Sequence, residues 1–281
     1  MRTLRFSICD VFTDTPLTGN QLAVFTDARG VPPETMQALA AELGFSESVF
    51  VLRPEQRGHA RLRIFTPTRE VPFAGHPVLG TAFVLATALQ SDELRLETGR
   101  GVIPVRLERE GAAVRFGWMT QPVPTVSLLP EPQALLDALG VAGSTLPIEL
   151  YDNGIPHAYV ALPSSDDVAR VRPDFERLAA VAPHGVSTFA GRGTDYKTRM
   201  FAPSHGVNED AATGSAAGPL ALHLARHGRL AFGDAIRIEQ GAELGRPSVL
   251  HARVIGSAEA VECVEVGGSA VVVARGEFRV P

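Results

Sequence analysis

Apolar positions along this chain switch between a period of two and a period near 3.6, and each switch predicts a change of element. LRFSICDVF (residues 4–12) alternates as a strand. PPETMQALAAELG (32–44) has helical spacing and a glycine stop, and FSESVFVL (45–52) alternates again. VLGTAFVLATAL (78–89) is apolar nearly all round, which predicts a helix wrapped by strands and ending near Gln90 to Asp92. Pro77 suits a first helical residue, because its missing N–H would be unpaired there anyway. That start would leave His76 standing over the positive end of the helix. Further on, YVAL (159–162) reads as a strand and PDFERLAAVA (173–182) as a helix. A second glycine turn then leads into another apolar helix, with Thr213 and Ser215 as caps, Pro219 in or near its first turn and Gly228 as its stop.

The order of signals repeats. RIFTP (63–67) returns as RMFAP (199–203), and LAAELGFSESVF (39–50) aligns without gaps on LAAVAPHGVSTF (178–189). GNQLAVF (19–25) matches GIPHAYV (154–160) more loosely, and AGHPVLGTAFVLA meets ATGSAAGPLALHLA. Four matches in one order at nearly one offset indicate a duplication. The expected halves are residues 1–121 and 122–281, joined near the proline-rich QPVPTVSLLPEP (121–132). The expected fold class is α/β (α+β): two pseudo-symmetric halves, each a barrel-like mixed sheet around a central helix. A pseudo-twofold arrangement would turn both helix N-termini, which attract carboxylates, toward one cleft. It would also place Ala82 and Ala221 in equivalent helices.

Composition narrows the function classes. The 281 residues are 45% hydrophobic with a formal net charge of −5, and the 26 basic residues are scattered. That argues against a nucleic-acid or anionic-membrane partner. No apolar run reaches the length of a membrane span. Cys9 and Cys263 form neither a CxxC nor a zinc spacing, so free, buried thiols in a reducing, cytoplasmic setting are expected. No dinucleotide fingerprint, Walker A, HExxH or GxSxG pattern occurs, and no cofactor or metal is signalled.

Against that background two residues draw attention. Glu47 shares a strand face with Phe45, Val49 and Val51, where an acid is unfavourable unless paired, protonated or opening into a cavity. Poor solvation there would raise its pKa. Its counterpart in the second half is Val186, so only one half carries the carboxylate. The alternative is a strand edge with Glu47 in solvent. His76 is either a turn histidine bonded to backbone or a neutral imidazole able to exchange a proton near pH 7. Asp210 would ordinarily complement a helix dipole and Ser215 would ordinarily cap.

GNQLAVF, LGFSESVF, RIFTPTREVPFAGHPVLGTA and NEDAATGSAAG, in this order over nearly the whole chain, resemble the phenazine-biosynthesis PhzF-like family. The resemblance implies a diaminopimelate-epimerase-like fold, a last strand that pairs back with the first half, and a homodimer. Epimerase relatives carry a catalytic cysteine at each glycine turn. The corresponding stretches here, Ala74-Gly75-His76-Pro77 and Thr213-Gly214-Ser215, have no thiol. The PhzF-like pattern implies Glu47 as proton carrier, His76 and Asp210 as further catalytic groups, and Gly75, Gly214 and Ser215 beside the substrate carboxylate. Ala211 stands where that pattern usually has proline, which loosens the turn but removes no chemical group. The expected function is a cofactor-independent isomerase that moves a proton within a small carboxylate-bearing metabolite. The alternatives are an epimerase or racemase of a small acid, and a non-catalytic metabolite-binding protein that kept the fold.

Overall fold

The structure, a computed structural model, describes residues 1–280. The chain divides into two compact units, residues 1–120 with 267–280, and residues 121–266. The first unit contains β1 (Arg2–Val11), β2 (Asn20–Phe25), α1 (Pro33–Leu43), β3 (Glu47–Leu52), β4 (Ala60–Phe65) and β5 (Glu70–Val71). α2 (Gly75–Leu89), β6 (Glu93–Thr98), β7 (Gly101–Glu110) and β8 (Ala113–Gln121) follow. The second unit contains β9 (Thr125–Leu128), α3 (Gln133–Leu139), β10 (Glu149–Asp152), β11 (Pro156–Ala161), α4 (Ser165–Arg170) and α5 (Phe175–Val181). It continues through β12 (Gly185–Arg192), β13 (Asp195–Ala202), β14 (Val207–Asp210), α6 (Gly214–Arg226), β15 (Ala235–Gln240) and β16 (Ser248–Gly256). β17 (Val261–Gly268) ends that unit, and β18 (Ala270–Val280) returns to the first, antiparallel to β1.

The two units share one internal topology. In the first, the strands run β18–β1–β2–β3–β4–β6–β7–β8, with parallel pairs at β2/β3 and β4/β6. In the second, β9–β10–β11–β12–β13–β15–β16 has its parallel pairs at β11/β12 and β13/β15. Each parallel pair needs a crossover, and each crossover carries helix. Ala82 and Ala221 both lie fully buried, in α2 and α6, the helices of the equivalent second crossovers.

The two helices of the first unit differ because their sequences differ. α1 buries one stripe, Met36, Leu39 and Ala40, and stops where Gly44 takes the left-handed conformation at φ 65°. It covers the outer sheet face, where Phe25 stacks on Phe50 at 4.6 Å and Phe65 meets Phe50 edge-on. α2 is buried through its first nine residues and lies against the other face. A Cβ at Gly80 would fall 2.6 Å from Val11 and 2.7 Å from Leu22, so the missing side chain sets how closely α2 approaches β1 and β2.

Two expectations about these helices need correction. α2 begins at Gly75 with Ala74 as its cap residue, so His76 lies inside the first turn rather than before it. Pro77 is the third helical residue, which is equally permissible because every first-turn N–H lacks an intrahelical acceptor. In α6 Pro219 lies in the second turn, and its missing N–H deprives the Ser215 carbonyl of its helical donor. Asn153 supplies one instead, its Nδ2 donating to the Ser215 carbonyl at 2.9 Å. Replacing Asn153 by Leu should therefore destabilise the second unit by about 1–3 kcal/mol, the usual cost of stranding a buried polar group. A urea midpoint unchanged from wild type would contradict this.

No helix among the described residues is long and apolar enough to cross a membrane.

Candidate active site

Register determines which way Glu47 points. In the parallel pair β2/β3, Leu22 is opposite Glu47 and Phe25 is opposite Phe50. Leu22 packs toward α2 and Phe25 toward α1, so alternation turns Glu47 and Val49 to the α2 side. β3 is buried on both faces from Ser48 to Val51, more enclosed than its alternating sequence implies. Glu47 is not a solvent-edge residue, for only 16% of its side chain is exposed.

His76, 3% exposed, reaches Glu47 from the first turn of α2. Its Nδ1 lies 3.5 Å from Glu47 Oε2 and 3.4 Å from Asn20 Nδ2. These are approaches rather than short hydrogen bonds. His76 Nε2 is buried with no hydrogen-bond partner among the described residues. Burial pushes the imidazole pKa down to about 3, against a smaller opposing pull from the Gln21 backbone, so the ring is neutral at physiological pH. Gly75 precedes it as the first helical residue.

In the second unit Asp210 ends β14, buried, and accepts a hydrogen bond at 2.7 Å from the hydroxyl of Thr213. That contact occupies the hydroxyl expected to cap α6. Gln240 ties the turn together, its Nε2 donating to the Asp210 carbonyl at 2.9 Å and to Thr213 Oγ1 at 3.0 Å. Gly214 opens α6, and its carbonyl accepts from Gln121 Nε2 at 2.8 Å. Ser215 follows, with its Oγ 3.1 Å from Nε2 of His157 on β11. The sequence reading named Glu47 and His76, which lie together in the first unit, and Asp210, Gly214 and Ser215, which lie in one turn and the helix start after it in the second.

It overlooked Asn20 and His157. Both lie in GNQLAVF and its repeat GIPHAYV, stretches noticed for their similarity and not for their polar residues. A buried polar side chain inside an apolar strand was the available signal.

The remaining polar groups have other roles. Cys9 lies on β1, its thiol pushed up to about 12 by burial and by the Asp10 charge, while Cys263 on β17 is only half-buried. Neither is at a helix start. At the far end of α6, Glu149 Oε2 accepts from Tyr151 at 2.7 Å and lies 3.2 Å from His223 Nδ1 and 2.9 Å from His227 Nε2. Arg226 stands 3.6 Å from the other oxygen, so a cation already occupies that side. One oxygen at the centre of several donors is a hydrogen-bond hub fastening the last turns of α6 to β10. Glu149→Ala would strand those donors and should destabilise the protein by about 3 kcal/mol or more. A thermal midpoint within a degree of wild type would contradict the role.

The first unit holds Glu47 against a neutral histidine, and the second holds a buried carboxylate and a serine at a helix start. The PhzC–PhzF family model, described as phenazine biosynthesis-like protein, matches residues 9–276. The chain belongs to this family. It is 49% identical over 271 residues to trans-2,3-dihydro-3-hydroxyanthranilate isomerase of Pseudomonas fluorescens, covering 96% of this chain and 98% of that one. Among solved structures, the PhzF-family phenazine biosynthesis protein of Bacillus anthracis has a TM-score of 0.88 at 25% identity over the full length of both chains. A hydroxyproline epimerase of Agrobacterium vitis shares the fold at a TM-score of 0.68 and 12% identity, covering 98% of this chain and 92% of that one. This PhzC–PhzF protein is an isomerase.

Proposed function

We propose that this protein isomerises trans-2,3-dihydro-3-hydroxyanthranilate by moving one proton, using its own side chains and no cofactor. The compound named by the relative has a C–H at C3, next to a diene conjugated to the carboxylate at C1. Loss of the C3 proton gives an anion delocalised through the diene to C1 and the carboxylate. Return of a proton to C1 leaves an enol at C3, which becomes a ketone with no change in composition. Loss of the C2 proton would put the charge on C2, C6 and C4, away from the carboxylate. C3 is the favoured site of abstraction.

On this reading Glu47 takes the C3 proton and delivers it to C1. The supporting observation is its carboxylate, 3.5 Å from a buried His76 whose second ring nitrogen has no partner among the described residues. Neutral His76 holds a polar substrate group at Nε2, and Asp210 holds another and shares its protons. Ser215 and the N–H groups at Gly75 and Gly214 bind the carboxylate, where helix starts favour negative charge. A positioned acid/base group contributes about 10²–10⁴-fold to such transfers.

The test is turnover of synthetic trans-2,3-dihydro-3-hydroxyanthranilate followed by proton NMR. A ketone protonated at C1 supports the reading, whereas a product differing only in stereochemistry would mark an epimerase, and no turnover would leave a binding protein. The family resemblance also supports a cytoplasmic homodimer. Light scattering at the monomer mass would overturn the dimer.

A further inference from the structure

Ser215 is fixed at both ends. Its carbonyl accepts from Asn153, and its Oγ lies 3.1 Å from His157 Nε2. His157 is 1% exposed and lies in β11, in register with Gly185 of β12. A Cβ at Gly185 would fall 2.4 Å from His157 Nδ1, so the imidazole fills the space where a side chain would be. Nδ1 is buried with no hydrogen-bond partner among the described residues. The ring is therefore held by packing on one edge and by Ser215 on the other.

Two neutral tautomers are available to it. With the proton on Nδ1, a buried N–H would be stranded and Nε2 would take the serine hydroxyl's only hydrogen. With the proton on Nε2, the stranded atom is a lone pair, which proteins tolerate better than an orphaned N–H. Nε2–H then donates to Ser215 Oγ and leaves the hydroxyl hydrogen free to donate elsewhere. We propose that His157 is a positioning residue that keeps its proton on Nε2 and so aims the Ser215 hydroxyl at the carboxylate of the substrate. The inference rests on the reading of Ser215 as a carboxylate ligand. Burial, together with the charges of His205 and His184, lowers the His157 pKa to about 3, so the tautomer and not the charge is at issue.

The test uses the full-length protein with 3-hydroxyanthranilate, the aromatic analogue that cannot be isomerised, as the probe. Nitrogen-15 spectra should show the His157 proton on Nε2 in the free and the probe-bound protein. His157→Leu should weaken probe binding about 10-fold and raise KM similarly, with kcat within about 3-fold. His157→Gln, which keeps an N–H donor, should restore most of the affinity. A proton on Nδ1 in the bound state would overturn the proposal, and that measurement needs no variant to fold. Ser215→Ala separates the two levels. If it binds the probe like wild type, the carboxylate assignment fails and the inference falls with it. If Ser215→Ala binds weakly while folded His157→Leu binds normally, the inference alone is wrong.

Discussion

Glu47→Gln should fold like the wild type and isomerise substrate at least 10²-fold more slowly, with KM little changed. The substitution keeps the size and a hydrogen-bonding head but removes the group that accepts a proton. A loss in kcat and kcat/KM together is the signature of an interaction needed in the transition state. The deficit should lie toward the upper end of the 10²–10⁴ range for acid/base groups. The nearest candidate for a substitute is His76, and a ring with its pKa pushed down to about 3 is a poor base at neutral pH. His76→Ala should cause a smaller loss, because on the proposed reading it removes a group that holds substrate and leaves the proton carrier in place. Steady-state kinetics of the two variants side by side decides the order. A larger defect in His76→Ala would move the principal role to the histidine.

The second large effect is on stability in acid. His76, His157 and His223 are buried and neutral, with pKa values pushed down from 6.5 to about 3, 3 and 4, burial being the largest cause in each. Between those values and 6.5 the unfolded chain binds protons that the folded protein refuses, so stability rises with pH across this window and is lost as pH falls. Each such histidine contributes about 1.4 kcal/mol per pH unit, and three together about 4. A fall from pH 6 to 4.5 then removes about 6 kcal/mol, comparable with the whole stability of many domains. Urea midpoints at pH 7.5, 6 and 5 should drop steeply over the last step. The drop should be about one third shallower in His223→Phe. Equal midpoints at pH 6 and 5 would contradict the assignment of these rings as neutral.

How much of this was legible beforehand depended on the range of the interactions involved. α1 could be read from its own residues, since its apolar stripe and the stop at Gly44 are both local. The duplication gave the equivalence of α2 and α6 without any knowledge of packing. The start of α2 was misplaced because a proline fits the first and third helical positions equally well. Glu47 was visible as an acid among apolar neighbours, but its approach to His76 depends on the register of β3 beside β2 and on the closeness of α2. Asp210 and Ser215 had ordinary local explanations and came forward only through the family resemblance. His157 was hidden because its meaning lies in a contact with Ser215, 58 positions away. Pro219 likewise made sense only once Asn153 was found donating to the Ser215 carbonyl.

The central claim is that one carboxylate, Glu47, carries the proton between two substrate carbons. Solvent-deuterium incorporation at C1 of the product, measured by mass spectrometry in parallel for wild type and Glu47→Gln, tests it most directly. The account predicts incorporation at turnover rate in the wild type and at least 10²-fold slower incorporation in the folded variant. Incorporation at the wild-type rate in Glu47→Gln would contradict it and pass the proton to Asp210 or His76.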